Sequence, residues 1–192
     1  MCIRDRDKRA EWVSAQRKKF QTLKRVLRPK RIPLNAIGQT WTVQYVHRPE
    51  KHISIEERDG LILVLEGQVD DLKLVVKALN NWLHTQARSA LAKQLSELSN
   101  ELSVPFNKLT VRRQKTRWGS CSAKKNINLN RNLLFLSSAM VRYVLVHELC
   151  HIQQLDHSEK FWDLLEKHVK NSRPMGAKAK QAGNKVPIWA KA

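Results

Sequence analysis

Apolar residues recur at three- and four-residue steps from Leu72 through Val75, Leu79, Leu83, Ala87, Leu91, Leu95 and Leu98 to Leu102. That spacing predicts one long helix. Asp70 and Asp71 stand where they suit the positive end of its dipole, and Pro105 stops it. Before it the pattern shortens to β-rich runs at Thr40–Val46, His52–Arg58 and Leu61–Leu65. Asp59-Gly60 between the last two predicts a hairpin turn. After it, Lys108–Trp118 and Asn126–Leu136 read as strands, joined by a turn at Gly119-Ser120-Cys121-Ser122, and helices follow from about Ser138 to Gln154 and from Ser158 to Lys170. The expected class is α+β: a small antiparallel or mixed sheet with a long helix.

The two ends read differently. Residues 8–27 carry Trp12, Val13, Phe20, Leu23, Val26 and Leu27 among lysines and arginines, a basic amphipathic helix that Pro29 and Pro33 would end. The first half-dozen residues resemble translated non-coding sequence. After Pro174 the composition narrows to Ala, Lys and Gly and predicts a disordered, dispensable tail. The expected organisation is therefore a basic segment at 1–31, one domain at 32–172 and a basic tail at 173–192, with no internal repeat.

Charge sharpens this picture. The chain of 192 residues holds 36 Lys+Arg against 17 Asp+Glu, a net charge of +19. Residues 1–31 contribute 12 basic and 3 acidic groups, residues 108–132 contribute 8 basic and none acidic, and residues 160–192 contribute 8 and 2. Such clustering fits either solvated faces or a phosphate-rich partner such as nucleic acid or a nucleotide. No run approaches the roughly 18 apolar residues of a membrane span. No apolar stretch follows the charges of the opening residues, which argues against a secretory signal. Three cysteines, Cys2, Cys121 and Cys150, make no disulfide framework and point to a reducing cytoplasm.

The chemistry is concentrated in Val144-Leu145-Val146-His147-Glu148-Leu149-Cys150-His151, an H-E-x-x-H pattern on a helix. His147 and His151 fall one turn apart on one face, so both imidazoles can reach one metal ion, with Glu148 beside them to take a proton from an activated water. Chance alone produces such a motif in about 1% of chains of this composition, by multiplying residue frequencies. Catalytic zinc needs a third protein ligand, and His157 is the best candidate. A continued helix would carry His157 about 9 Å further along and onto another face, so the helix must end near Gln154. Asp156 and Ser158 suit a cap for the next helix. Glu166 and His168 are alternative ligands, as is Cys121, while Cys150 reads as a small buried thiol.

Together, Thr116-Arg117-Trp118-Gly119-Ser120-Cys121-Ser122, Ile127-Asn128-Leu129-Asn130, His147-Glu148-Leu149-Cys150-His151 and Asp156-His157-Ser158 with Phe161-Trp162 resemble the YgjP-like family of zinc metallopeptidases, relatives of the SprT-like proteins. The resemblance runs from about Trp41 to Lys170. It implies a zincin-like fold, one zinc ion on His147, His151 and His157, and Glu148 as general base. Asp156 stands where the family usually has Asn. Metzincins share the histidine spacing but have Gly where this chain has Gln154, which sets the chain apart from them.

The resulting expectation is a cytoplasmic zinc metallopeptidase acting on peptides or proteins, with Arg117 and Trp118 shaping its substrate site. Two alternatives stand beside it. One is a metal-dependent nucleotide or phosphoester hydrolase, supported by Arg112, Arg113, Lys115, Arg117, Lys124 and Lys125 but lacking a Gly-rich phosphate loop. The other is a nucleic-acid-associated protein whose metal site is proteolytic or structural.

Overall fold

A computed structural model describes residues 12–14, 16 and 21–191. The α+β class expected from the sequence is the class observed, but with two small sheets instead of one. Strands β1 (Arg31–Leu34), β2 (Gln39–His47), β3 (Ile53–Arg58) and β4 (Ile62–Gly67) form a mixed sheet in the order β1-β2-β4-β3. The hairpin at Asp59-Gly60 joins β3 to β4, and β4 then lies parallel to β2. Pro33 is accommodated because β1 is an edge strand.

Helix α1 (Leu72–Glu101) spans 30 residues. The Asp71 carboxylate caps it, accepting from the N–H groups of Lys73 at 2.8 Å and Leu74 at 3.2 Å. Its buried stripe is the one read from the sequence: Val75, Leu79, Leu83, Ala87, Leu91 and Leu95 are fully buried. Trp82, on the same helix, meets Trp41 of β2 edge to face at 5.4 Å and locks helix to sheet.

Strands β5 (Lys108–Arg112), β6 (Gly119–Cys121) and β7 (Asn126–Asn130) form a second sheet in the order β5-β7-β6. Both strands predicted here are shorter than expected. Asn130 explains why. Its side chain caps a 3-10 turn at Arg131–Phe135 by accepting from the Asn132 N–H at 3.1 Å. It also donates to the carbonyls of Gln114 at 2.8 Å and Arg117 at 3.0 Å, which holds residues 113–118 as a loop.

Helix α2 (Ser138–Cys150), capped by Ser137, buries Val141, Val144, Leu145, Val146 and Leu149 beneath the second sheet. Helix α3 (Glu159–His168) follows.

The C-terminal segment is ordered, which corrects the compositional reading of a tail. Residues Ser172–Gln181 form helix α4, and Ile188–Lys191 form a short α5. Ala and Lys are strong helix formers, so the composition that mimics a tail also suits a helix that can dock. Glu166 receives the start of α4, accepting from the Asn171 N–H at 2.6 Å and from the Ser172 N–H at 2.8 Å. Gly176 lets α4 cross α2 closely, because a Cβ there would stand 2.9 Å from the Tyr143 hydroxyl. Trp189, 1% exposed, meets Phe135 at 5.8 Å. The carbonyl of Trp189 accepts from the Asn80 amide at 2.9 Å, and that of Ala190 from buried Arg131.

At the other end, the described residues at 12–14, 16 and 21–27 are helical, as the amphipathic pattern predicts; the remainder of that reading lies outside the described residues. Among the described residues, no helix is long and apolar enough to cross a membrane.

Candidate metal centre

The helix carrying the H-E-x-x-H pattern ends at Cys150, earlier than Gln154, and residues 151–153 continue as turns. The chain then folds back through a short loop. Asp156 organises the loop by accepting from the Gln154 amide at 2.7 Å and from the Ser158 N–H at 3.1 Å. The Gln154 and Ser158 hydrogen bonds hold its carboxyl down to about 2. This reversal brings His157 back to the first two histidines.

His147, His151 and His157 form a cluster whose ring nitrogens all lie within 4.8 Å of one another. Nε2 of His147 is 3.1 Å from Nε2 of His151 and 3.2 Å from Nε2 of His157. Two nitrogens each about 2.0–2.1 Å from one tetrahedral zinc ion lie about 3.3–3.4 Å apart, so the spacing fits a shared ion. The protonation states agree. His151 Nδ1–H donates to the Gln154 carbonyl at 3.0 Å, which leaves its Nε2 bare and facing the cluster. His147 is pushed down to about 3 by burial, then by the neighbouring histidines, so a proton does not relieve the crowding of lone pairs. A cation does.

Phe161 is the floor of this cluster. Fully buried, it stacks on His151 at 4.5 Å and meets His147 at 4.9 Å and His157 at 4.8 Å edge to face. Sequence patterning missed this packing role. Its nearness to the motif was legible, since Phe161 lies on the first turn of the helix that follows His157, but its place beneath the three rings was not.

Glu148 lies beside the histidines in a cleft of about 790 Å³. It is 5% exposed, and its Oε2 has no hydrogen-bond partner. Burial pushes its carboxyl up to about 8, with the Arg117 charge pulling the other way. Above it runs β6. Gly119 touches the carboxyl so closely that a Cβ would stand 2.5 Å from Oε1 and 2.7 Å from Cδ. Gly119→Ala is therefore expected to displace Glu148, keep the metal content and lower activity about 10²-fold, at a cost of about 1–3 kcal/mol in stability. Metal analysis, turnover and thermal unfolding of the variant check this; unchanged turnover would separate Gly119 from the function of Glu148.

The structure also shows where the other candidates stand. Arg117 and Trp118 line the cleft. The Trp118 indole donates to the Ala179 carbonyl at 2.7 Å, tying the loop to α4. Glu166 caps α4 and is not part of the histidine cluster, nor are His168 and Cys121. Cys150 is buried, its thiol pushed up to about 11 by that burial.

The strand next to the cleft is β6, not the strand read over Lys108–Trp118, because β5 stops at Arg112 on the opposite edge of its sheet. Trp118 accepts from the Asn130 N–H at 2.8 Å, and the Ser122 N–H donates to Asn126 at 3.0 Å. With Ser120 opposite Asn128 in the same register, alternation turns the N–H and C=O of Gly119 and Cys121 away from β7.

The family described as YgjP-like, metallopeptidase domain, matches residues 7–181. Among solved structures, the crystal structure of the metallopeptidase zymogen of Pyrococcus abyssi abylysin is similar at 21% identity and a TM-score of 0.44, covering 51% of this chain and 99% of that one. A search of curated proteins finds no match.

Proposed function

The chain belongs to the YgjP-like family of metallopeptidases, and on that premise we propose that it hydrolyses peptide bonds with one zinc ion held by His147, His151 and His157 and with Glu148 as general base. The observation that carries this reading is the convergence of three imidazole nitrogens within 4.8 Å of one another, two of the three rings lining the same cleft as a buried carboxyl. Zinc in a three-histidine site supplies Lewis acidity, acidifying water and polarising a carbonyl. Three imidazoles suit zinc among the divalent metals.

Glu148 receives the proton of the attacking water at Oε2, which no protein donor occupies. Burial raises the carboxyl's proton affinity and a cation held by the histidines would lower it, so an ionised Glu148 can take the proton and then pass it to the leaving amine. Gly119 holds the carboxyl in place by leaving no space between β6 and α2. The outward backbone groups of Gly119 and Cys121 pair with an extended peptide, and Trp118 and Arg117 flank it at the end of the strand.

A second reading, hydrolysis of a nucleotide or phosphoester, draws on a basic cavity next to the cleft. Metal analysis of the purified protein, with parallel assays on unfolded protein and nucleoside triphosphates, separates the two. The expected result is one zinc per chain, and peptide cleavage that chelation abolishes and zinc restores. Triphosphate hydrolysis without any proteolysis would overturn the peptidase reading.

A further inference from the structure

A second cavity of about 420 Å³ adjoins the metal-centre cleft and shares Thr116, Arg117, Trp118 and Lys180 with it. Among the described residues its lining includes five cations, Arg113, Lys115, Arg117, Lys180 and Lys191, and no acidic side chain. They come from three places: the loop between β5 and β6, helix α4 and helix α5. None of the ion pairs among the described residues takes up Lys115, Arg117, Lys180 or Lys191.

Some cations elsewhere are paired, Arg48 with Glu66, Arg142 with Glu101 and Arg173 with Glu159; what sets this cavity apart is that its cations converge on one concavity. Four of these charges, Lys115, Arg117, Lys180 and Lys191, crowd one concavity and repel one another, with no acidic side chain among its described lining residues. An anionic ligand removes that cost and gains charge-assisted hydrogen bonds.

We propose that this cavity is an acidic-side-chain subsite of the peptidase, selecting substrates with Asp or Glu on one side of the scissile bond. The proposal rests on the peptidase reading above. A peptide paired with the outward groups of Gly119 and Cys121 and extended past Trp118 runs into the loop that carries Arg117, Lys115 and Arg113. Residues a few positions from the scissile bond therefore meet the cations, while the bond itself stays at the histidine cluster. The lining contains one glycine, Gly183, so the cavity lacks a glycine-rich loop of backbone N–H groups for cradling phosphates. It lies at the end of a strand edge suited to a peptide backbone.

The test uses two labelled decapeptides with a central Ala-Ala, one rich in Glu and one with Gln at the same positions. Binding is read by fluorescence anisotropy on zinc-loaded Glu148→Gln protein, and cleavage is read on the parent. Both are repeated with Lys115→Gln and Lys191→Gln combined. The Glu peptide is expected to bind about tenfold tighter than the Gln peptide at low salt, the combined changes reducing that ratio to about two. The cleavage preference is expected to follow the binding preference, and both shrink as salt rises.

Equal binding of the two peptides, or a preference that survives the combined changes, overturns the subsite and leaves the peptidase reading intact. Selective binding of the Glu peptide without cleavage of either peptide sinks the peptidase reading and retains the anion site. ATP or a single-stranded oligonucleotide bound more tightly than the Glu peptide, with the same dependence on Lys115 and Lys191, assigns the cavity to phosphates and overturns the proposal.

Discussion

Glu148→Gln is expected, on the proposed mechanism, to bind zinc as the parent does and to lose peptide hydrolysis by about 10²–10⁴-fold, the usual range for removing a general base. Gln has the same shape, so the contact with Gly119 and the packing of α2 persist. What disappears is the ability to take a proton at a position where no protein donor competes for the oxygen. His147→Ala is the contrasting variant, because it removes the nitrogen that stands 3.1 and 3.2 Å from the other two. It should lose metal and activity together. Metal content and turnover measured side by side on both proteins distinguish the roles. A Glu148→Gln protein that lost its zinc, or that kept normal turnover, would remove the carboxyl from the role of base.

Trp189→Ala is expected to destabilise the protein by about 3–5 kcal/mol, in the range for truncating a large buried aromatic. For a chain of this size, that lowers the melting temperature by about 10–15 °C. Trp189 is 1% exposed and packs on Phe135, and the neighbouring backbone is held by Asn80 and Arg131. Ile188→Ala serves as the control, since Ile188 is 57% exposed and its loss should cost less than about 0.5 kcal/mol. Thermal unfolding of the two variants compares them directly. Equal and negligible effects would restore the reading of this segment as a dispensable tail. The consequence reaches the cleft, because α4, in the same C-terminal segment, forms one of its walls through Gly176, Ala179 and Lys180.

What the sequence by itself determined was local in origin. The stripe from Val75 to Leu95 could be read because a helix repeats its buried face every 3.6 residues, and those positions are the buried ones. The Asp59-Gly60 turn follows from the backbone preferences of those two residues, and the start of the long helix from the acidic pair Asp70-Asp71 that suits its positive end. The pairing of His147 with His151 follows from one helical turn, and the need for a chain reversal before His157 follows from the length of that turn. The resemblance to the YgjP-like family was carried by short motifs in order, and the family match over residues 7–181 agrees with it.

What only the tertiary structure decided depended on residues distant in sequence. Lys108–Trp118 alternates like one strand, but Asn130 draws the carbonyls of Gln114 and Arg117 into its own hydrogen bonds and ends β5 at Arg112. The role of Gly119 appears only when β6 lies over α2 and leaves no room for a Cβ beside Glu148. Residues 172–191 have the composition of a tail, and local propensity says only that Ala and Lys permit a helix. Whether that helix docks is decided by Glu166 at its start, Tyr143 beneath Gly176, and the pocket that Phe135, Asn80 and Arg131 make for the last turn. None of those partners is close in sequence to the residue it holds except Glu166, and burial against distant partners is what outweighs a weak local preference.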